Sequence, residues 1–313
     1  MQKSIMRILT CLLALLLAPW SLMAQHLAAE LGYGANEKLL IVHADDLGVT
    51  HATNQGSFRA LDKGTVSSAS IMANTPWLPE VARYAISHPD ADLGMHLVLT
   101  SEWRDLKWGS VASADRVSSL LDSAGYLKSN CADMVRSAVP EEVRIEIKAQ
   151  IEKARALGIK PTHLDTHMGC LAATPELFRI YLETGREYGL PTLISRNRLE
   201  SMPPAYREAI TDQDMVVDNL FMAGEPDYEI GLETFYRDQL QDLPAGVNVL
   251  LIHTALDGAE SAAMAGGAEA FGSRWRQLDY NFFTSDAFAD ILAEEGIRLI
   301  TWRELAERRK QER

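Results

Sequence analysis

Cysteine is scarce in this chain: three residues in 313, at positions 11, 131 and 170. Cys11 falls in the leading segment treated below. A single remaining pair prescribes no disulfide framework, although export would permit a bridge between Cys131 and Cys170. Positive charge is short too. Thirty Lys and Arg stand against 43 Asp and Glu, a formal net charge of −13, and so acidic a chain has little reason to bind nucleic-acid phosphate. After the leading segment no stretch is apolar enough to span a membrane. Internal repeats and low-complexity linkers are also missing, so the sequence offers no seam at which to divide it into domains. With 47% hydrophobic and 23% charged residues, the composition is that of an ordinary globular chain.

The N-terminus differs from the rest. In "MQKSIMRILTCLLALLLAPWSLMAQ", Lys3 and Arg7 precede an apolar stretch to about Leu17, and small residues appear near Ala24. The pattern reads as a secretory signal peptide over residues 1–24, because the apolar run falls short of the ~20 residues a span needs. Cleavage would remove two positive charges and no acid, taking −13 to −15. The expected product is one domain over residues 25–313, exported to a periplasm or secreted, with no stable membrane insertion.

Short β-branched apolar runs then alternate with longer amphipathic ones. Candidate strands cover 38–46, 65–73, 92–99, 161–167, 192–196, 215–220, 247–253 and 297–302. Between them, "PEEVRIEIKAQIEKARALG" (140–158) carries an apolar stripe of Val143, Ile147, Ile151 and Ala154, opened by Pro140 and closed by Gly158. "TPELFRIYLETGREYG" (174–189) repeats the scheme, with Thr174 as N-cap and Pro175 at the first helical position. This alternation predicts a parallel α/β fold, open or closed into a barrel. Residues 101–135 lack periodicity, as a long functional loop would.

In such folds reactive side chains gather at the carboxyl ends of strands. Four candidate strands here end on His, Asp or both: Asp45-Asp46 in "LLIVHADDLG", His96 in "GMHL", His163, Asp165 and His167 in "HLDTH", and His253 in "VLLIHTALDG". Of eight histidines in the chain, four fall in these places. Burying several unpaired charges on one rim costs several kcal/mol, so they need a shared purpose. A divalent metal held by one carboxylate and two imidazoles supplies one. It also accounts for two adjacent acids. Successive strand residues point opposite ways, so at a frayed strand end one carboxylate can bind the ion while the other faces the substrate as a base.

With its surroundings, the doublet resembles the YdjC-like carbohydrate deacetylases, the family of the chitooligosaccharide deacetylases. The stretches carrying the resemblance are "HADDLGVTHATNQG", "TVSSASIMAN", "LGMHLVLT", "PTHLDTH" and "LIHTALDG", in order, over about residues 38–255. The resemblance implies a distorted TIM-like (β/α) barrel and hydrolysis of acetyl groups from N-acetylated amino sugars, with one divalent metal ion. It implies Asp46, His96 and His167 as metal ligands, Asp45 as the base, and His253 near the leaving group. Two departures stand out. Members often continue the fourth-strand motif with further histidines where this chain reads "DTHMGCLAATPEL", and "TALDG" follows His253 in place of an "HPG"-like context.

The ligand set suits zinc or magnesium. Trp103 and Trp108, in the aperiodic loop, are candidates for stacking on sugar rings, and Arg196, ending the 192–196 strand, for binding a substrate hydroxyl or carboxylate. Asp165 either orients a histidine or caps its turn. His43 reads as a core histidine, and His51 as a minor rim candidate. The Gly/Ala-rich 258–275 stretch is suited to closing over a ligand. Two other functions compete: a different metal hydrolase such as a phosphoesterase, and a non-catalytic exported sugar-binding protein.

Overall fold

β1 (Lys38–Leu47) begins where the apolar run begins, and its side chains alternate between two cores. Leu40, Val42 and Ala44 belong to the larger core, whereas Leu39 and Ile41 belong to a second one with Val217, Val247, Val249 and Trp302. The computed structural model describes residues 27–312. The expected signal peptide, with its cleavage point near Ala24, lies outside the described residues. No helix among those described is long and apolar enough to cross a membrane.

The other strands are β2 (Ser68–Ile71), β3 (Leu93–Leu97), β4 (Leu164–Thr166), β5 (Asn219–Met222), β6 (Gly246–Ile252) and β7 (Ile297–Leu299). Every pairing among them is parallel, in the order β4-β3-β2-β1-β6-β5. β1 sits centrally. One edge pairs with β6 from Lys38 to Ala44, and the other meets β7 at Lys38–Leu40 and β2 from His43 onward. Beyond β4 the sheet continues through isolated bridges, Leu164 to Thr192 and Ser195 to Val217. They carry it round to β5 and curl it into the expected distorted barrel.

That thin side is where two expected strands are corrected. Residues 192–196 pair for only a residue or two before the chain turns into the helix Arg196–Glu200. The strand expected over 215–220 is displaced to β5: at Asp218 the backbone N–H still reaches the Val247 carbonyl at 2.9 Å, but the return bond goes to the side chain, whose Oδ2 accepts the Val247 N–H at 2.8 Å.

The helices follow their sequence signals. In Pro140–Ala156 the stripe Val143, Ile147, Ile151 and Ala154 is buried. Thr174 caps Pro175–Tyr188 by accepting from the Leu177 N–H at 3.2 Å. The aperiodic loop is moored at Val111 and Ala112, whose N–H groups both reach the buried Glu146 carboxylate at 2.9 Å. A disulfide joins Cys131 to Cys170, with Cα atoms 5.2 Å apart, and so ties the helix Cys131–Ser137 to the segment just after His167.

Candidate metal centre and active site

Period-two alternation carries the polar residues inward. Met95 and Leu97 of β3, Leu164 of β4 and Leu250 and Ile252 of β6 join the larger core, so the alternate positions His96, His163, Asp165, His167 and His253 fall on the inner face. Gly94 makes room for one of them, since a Cβ there would lie 2.3 Å from the His163 ring.

The adjacent aspartates occupy a bulge, not a frayed end. His43 pairs with Ser68 and Ala44 with Ala69, but the next register pair is Leu47 with Ile71. Asp45 and Asp46 therefore oppose the single residue Ser70. Asp46 has φ 72°, the left-handed region that Asp tolerates better than most residues. A straight strand would send the two carboxylates to opposite faces; here both line one cavity of about 720 Å³. Ser70 donates its hydroxyl to Asp45 Oδ1 at 3.1 Å.

Around Asp46 the hydrogen bonds decide which atoms are free. A carboxylate only accepts, so the ring nitrogen facing it carries the proton. His96 Nδ1 lies 2.8 Å from Asp165 Oδ1, and His167 Nε2 lies 3.0 Å from Glu102 Oε2. In the neutral rings the lone pairs then sit on His96 Nε2 and His167 Nδ1, which face each other at 3.1 Å. Asp46 Oδ1, buried and without a hydrogen-bond partner, lies 3.4 Å from the first and 3.5 Å from the second. Three electron-pair donors converge on one point. A metal ion fits this arrangement, with Asp165 and Glu102 each orienting an imidazole from behind.

Two other clusters of potential ligands lie close by, but neither offers three free electron pairs. In His43–His163–Asp165, both ring nitrogens of His43 are engaged, by Ser68 and Asp165, and Asp165 is shared between His43 and His96. In Asp45–His96–Asp165, the His96 nitrogen involved is the protonated one.

Charge points the same way. With the carboxylates ionised, Asp45, Asp46, Asp165 and Glu102 face Arg276 and His43. Burial works against the His43 imidazolium, but its hydrogen bonds to the Asp165 and Asp45 carboxylates outweigh that and push its pKa up to about 10. Neutral His96 and His167 leave two negative charges in excess, the charge a divalent cation offsets. Against the effect of burial, Glu102 and Asp46 push the His167 pKa up to about 10. Burial would likewise raise Asp46, yet Arg276 and His167 hold it well below the usual carboxylate range.

Asp45 stands beside this cluster, its Oδ1 3.1 Å from His43 Nε2 and its Oδ2 3.9 Å from His253 Nε2. His253 lines the cavity, is anchored by its backbone N–H to Asp279 Oδ2 at 2.9 Å, and is pushed down by burial to about 4. It is thus a neutral imidazole near pH 7.

The remaining candidates separate. Trp103 lines the cavity. Trp108 does not: it is buried, with its indole N–H given to the Thr100 carbonyl at 2.7 Å, so it has no face to offer a sugar. Arg196 lies outside the lining, its Nε 3.8 Å from Asp218 Oδ1, while Arg198 takes the place on the wall. The cause is the helix that starts at Arg196 in place of a strand. His51 pairs with Glu80 and is likewise absent from the lining. His43 is buried as expected but serves the charge network. Within the Gly/Ala-rich stretch, Ala268, Ala270 and Phe271 form part of the wall.

Sequence reasoning missed two residues. Glu102 gave no signal, being one acid in an aperiodic loop. Arg276 did: Trp275, Arg276, Asp279, Phe282 and Phe283 form the buried face of the helix Ser273–Phe283, and an Arg and an Asp on an apolar stripe call for partners. Arg276 donates to Asp46 Oδ2 at 2.7 Å and to the Phe271 carbonyl at 2.7 Å.

Fold and site together define a class: a parallel (β/α) barrel with convergent polar side chains in a cavity at the carboxyl ends of its strands, the usual address of catalysis in such folds. The chain belongs to the YdjC-like protein family, whose sequence profile matches residues 39–294. It is 34% identical over 291 residues to a carbohydrate deacetylase of Thermus thermophilus, covering 90% of this chain and 98% of that one. A chitooligosaccharide deacetylase of Yersinia pestis is 31% identical over 167 residues, 52% of this chain and 62% of the relative. A crystal structure of a protein from Enterococcus faecalis superposes with TM-score 0.70 at 24% identity, covering 86% of this chain and 99% of that one, a likeness of fold.

Proposed function

We propose that this protein is an exported, divalent-metal-dependent deacetylase that hydrolyses the acetamido group of N-acetylated amino sugars. The observation that carries the reading is the convergence of three free electron-pair donors, on Asp46, His96 and His167, beside a fourth group, Asp45, that binds none of them. Full-length similarity to a carbohydrate deacetylase supports the substrate class, and the leader sequence supports export to a periplasm or the exterior.

An ion in this cluster, zinc or magnesium, would supply Lewis acidity to the acetyl carbonyl and acidify water. The protein's own groups do the rest. Asp45 accepts the proton of the attacking water, while His43 and Ser70 hold its carboxylate in place. Arg276 occupies Asp46 Oδ2 and leaves Oδ1 as the single ligating atom. Asp165 and Glu102 fix the tautomers of His96 and His167. The departing amine needs a proton. His253, neutral at rest, must first acquire one, and Asp45 at 3.9 Å is the neighbour from which it can come.

The test is acetate release from N-acetylated mono- and oligosaccharides by metal-stripped protein to which single metals are returned. Acetate that appears only with metal supports the reading. Release of phosphate from phosphate esters, with two ions bound per chain, would turn it toward a phosphoesterase. Sugar binding without turnover would make the protein a binding module.

A further inference from the structure

Arg276 is buried, and its guanidinium is committed along one edge only. Nε donates to the Phe271 carbonyl at 2.7 Å, and Nη2 donates to Asp46 Oδ2 at 2.7 Å. Nη1 is buried as well, yet it has no hydrogen-bond partner among the described residues. An arginine stays protonated and can only donate, and a charged donor taken out of water without an acceptor is costly. Seating Asp46 does not call for that third nitrogen, since one N–H suffices. Asp46 Oδ1, the ligand atom, is orphaned in the same way, and both residues line the cavity.

The helix Ser273–Phe283 fixes where this donor stands. The Arg276 carbonyl accepts the Ala255 N–H at 3.2 Å, and about a turn later Asp279 Oδ2 accepts the His253 N–H at 2.9 Å. The segment carrying His253 is thus tied at two points to the helix carrying Arg276. His253 Nε2 in turn lies 3.9 Å from Asp45 Oδ2. Trp103, another residue of the wall, has its ring centre 5.9 Å from the guanidinium carbon. Asp45, Asp46, His253 and Arg276 therefore bound one region. The reacting carbon of an acetamide has to lie there for Asp45 and His253 both to serve it.

From these observations we infer that Arg276 is a catalytic residue, whose Nη1 hydrogen-bonds the acetyl oxygen as that oxygen takes up negative charge. The inference rests on the deacetylase reading and adds a group to its chemistry. In the first step the oxygen of water bonds to the acetyl carbon, the C=O π pair moves onto the acetyl oxygen, and the water proton passes to Asp45. On collapse that pair re-forms C=O and the C–N bond breaks. The nitrogen keeps the bonding pair and takes the proton that Asp45 passes on through His253, while the acetic acid released ionises to acetate. Arg276 gives up no proton in either step. It binds the charged oxygen more tightly than the neutral carbonyl, the differential binding by which a preorganised donor lowers a barrier. Acetate presents a charged oxygen of the same kind, so Nη1 binds the product too.

The experiment uses zinc-loaded protein, with metal content checked in every sample. Arg276→Lys keeps a cation for Asp46 but offers a point charge in place of the fork. At full metal occupancy it is expected to lose about 10²–10³-fold in kcat with KM little changed. Its affinity for acetate, read by calorimetry, is expected to fall roughly tenfold or more. Activity restored by added zinc, or an unchanged acetate affinity at full occupancy, would overturn the inference and leave Arg276 as a group that only seats Asp46. A second measurement needs no buried substitution. In NMR spectra of the parent labelled at its arginine nitrogens, acetate is expected to shift the Arg276 Nη1–H signals and slow their exchange with water, while Nε–H stays in place. Acetate that binds without that shift, or does not bind at all, would equally overturn the inference. If N-acetylated sugars yield no acetate, the deacetylase reading fails, and the NMR titration still decides whether Nη1 receives a carboxylate.

Discussion

Glu102→Ala removes the acceptor that holds the proton on His167 Nε2. Glu102 Oε2 lies 3.0 Å from that nitrogen, and the Glu102 side chain is 20% exposed. Without it two things change. His167 is free to carry its proton on Nδ1, the nitrogen that faces Asp46, and the cluster loses one of the charges that attract a cation. A hydrogen bond to a charged group contributes about 1.5–3 kcal/mol, and partial exposure places this one toward the lower end. Loss of such a supporting partner typically costs about 10–100-fold in metal affinity. We therefore expect roughly tenfold or somewhat more, measured by competition with a chromophoric chelator at fixed pH. Glu102→Gln, which keeps an accepting oxygen, should recover part of it. Folding should be little affected, because Glu102 lies in a loop at the cavity rim. A Glu102→Ala protein that bound the ion as tightly as the parent would refute the tautomer argument on which the ligand assignment rests.

Three further outcomes follow from the geometry. His96→Ala and His167→Ala should each lose bound metal and activity together, read by elemental analysis alongside acetate release; full occupancy in either would remove that ligand from the set. Replacing Cys131 and Cys170 together by Ala opens a closure 39 residues apart and should lower the unfolding free energy by roughly 2–4 kcal/mol, measured in urea, with a change under about 1 kcal/mol arguing that the bridge adds little. Burial raises the Asp279 pKa from 3.8 to about 7, so its contribution is fully present below pH 3.8 and is lost as pH rises through about 7, up to ~4 kcal/mol for three units. Asp279→Asn should therefore lose less stability than the parent between pH 4 and 8; parallel curves would contradict the shift.

Much of the fold could be read from the chain because each strand near the centre of the sheet is a short apolar run with a clear end. β1, β3 and β6 fall within or close to their expected limits. The thin side of the barrel was harder. Residues 192–196 have the composition of a strand, yet pairing there is confined to single bridges, and composition says nothing of how many partners a segment will find. The candidate ligands were legible as types at strand ends, since period two sends them inward together. What the sequence could not convey was the bulge: two aspartates opposing one Ser70 is a property of register, set jointly by β1 and β2. Glu102 was hidden for a related reason, because its role depends on where an aperiodic loop is moored. Arg276 was the avoidable omission, a cation on the apolar face of a helix just past the stretch singled out for its glycines.

The central claim divides the two adjacent acids, Asp46 as ligand and Asp45 as base, and metal content measured beside turnover in Asp45→Asn and Asp46→Asn tests it most directly. A neutral amide is a poorer ligand than a carboxylate, so Asp46→Asn should release the ion and recover part of its activity at high metal concentration. Asp45→Asn should keep the ion, bind substrate, and lose about 10²–10⁴-fold in kcat, with no rescue by added metal. Equal loss of metal in both variants would contradict the account: the two carboxylates would then be joint ligands, and the base would have to be another group in the cavity.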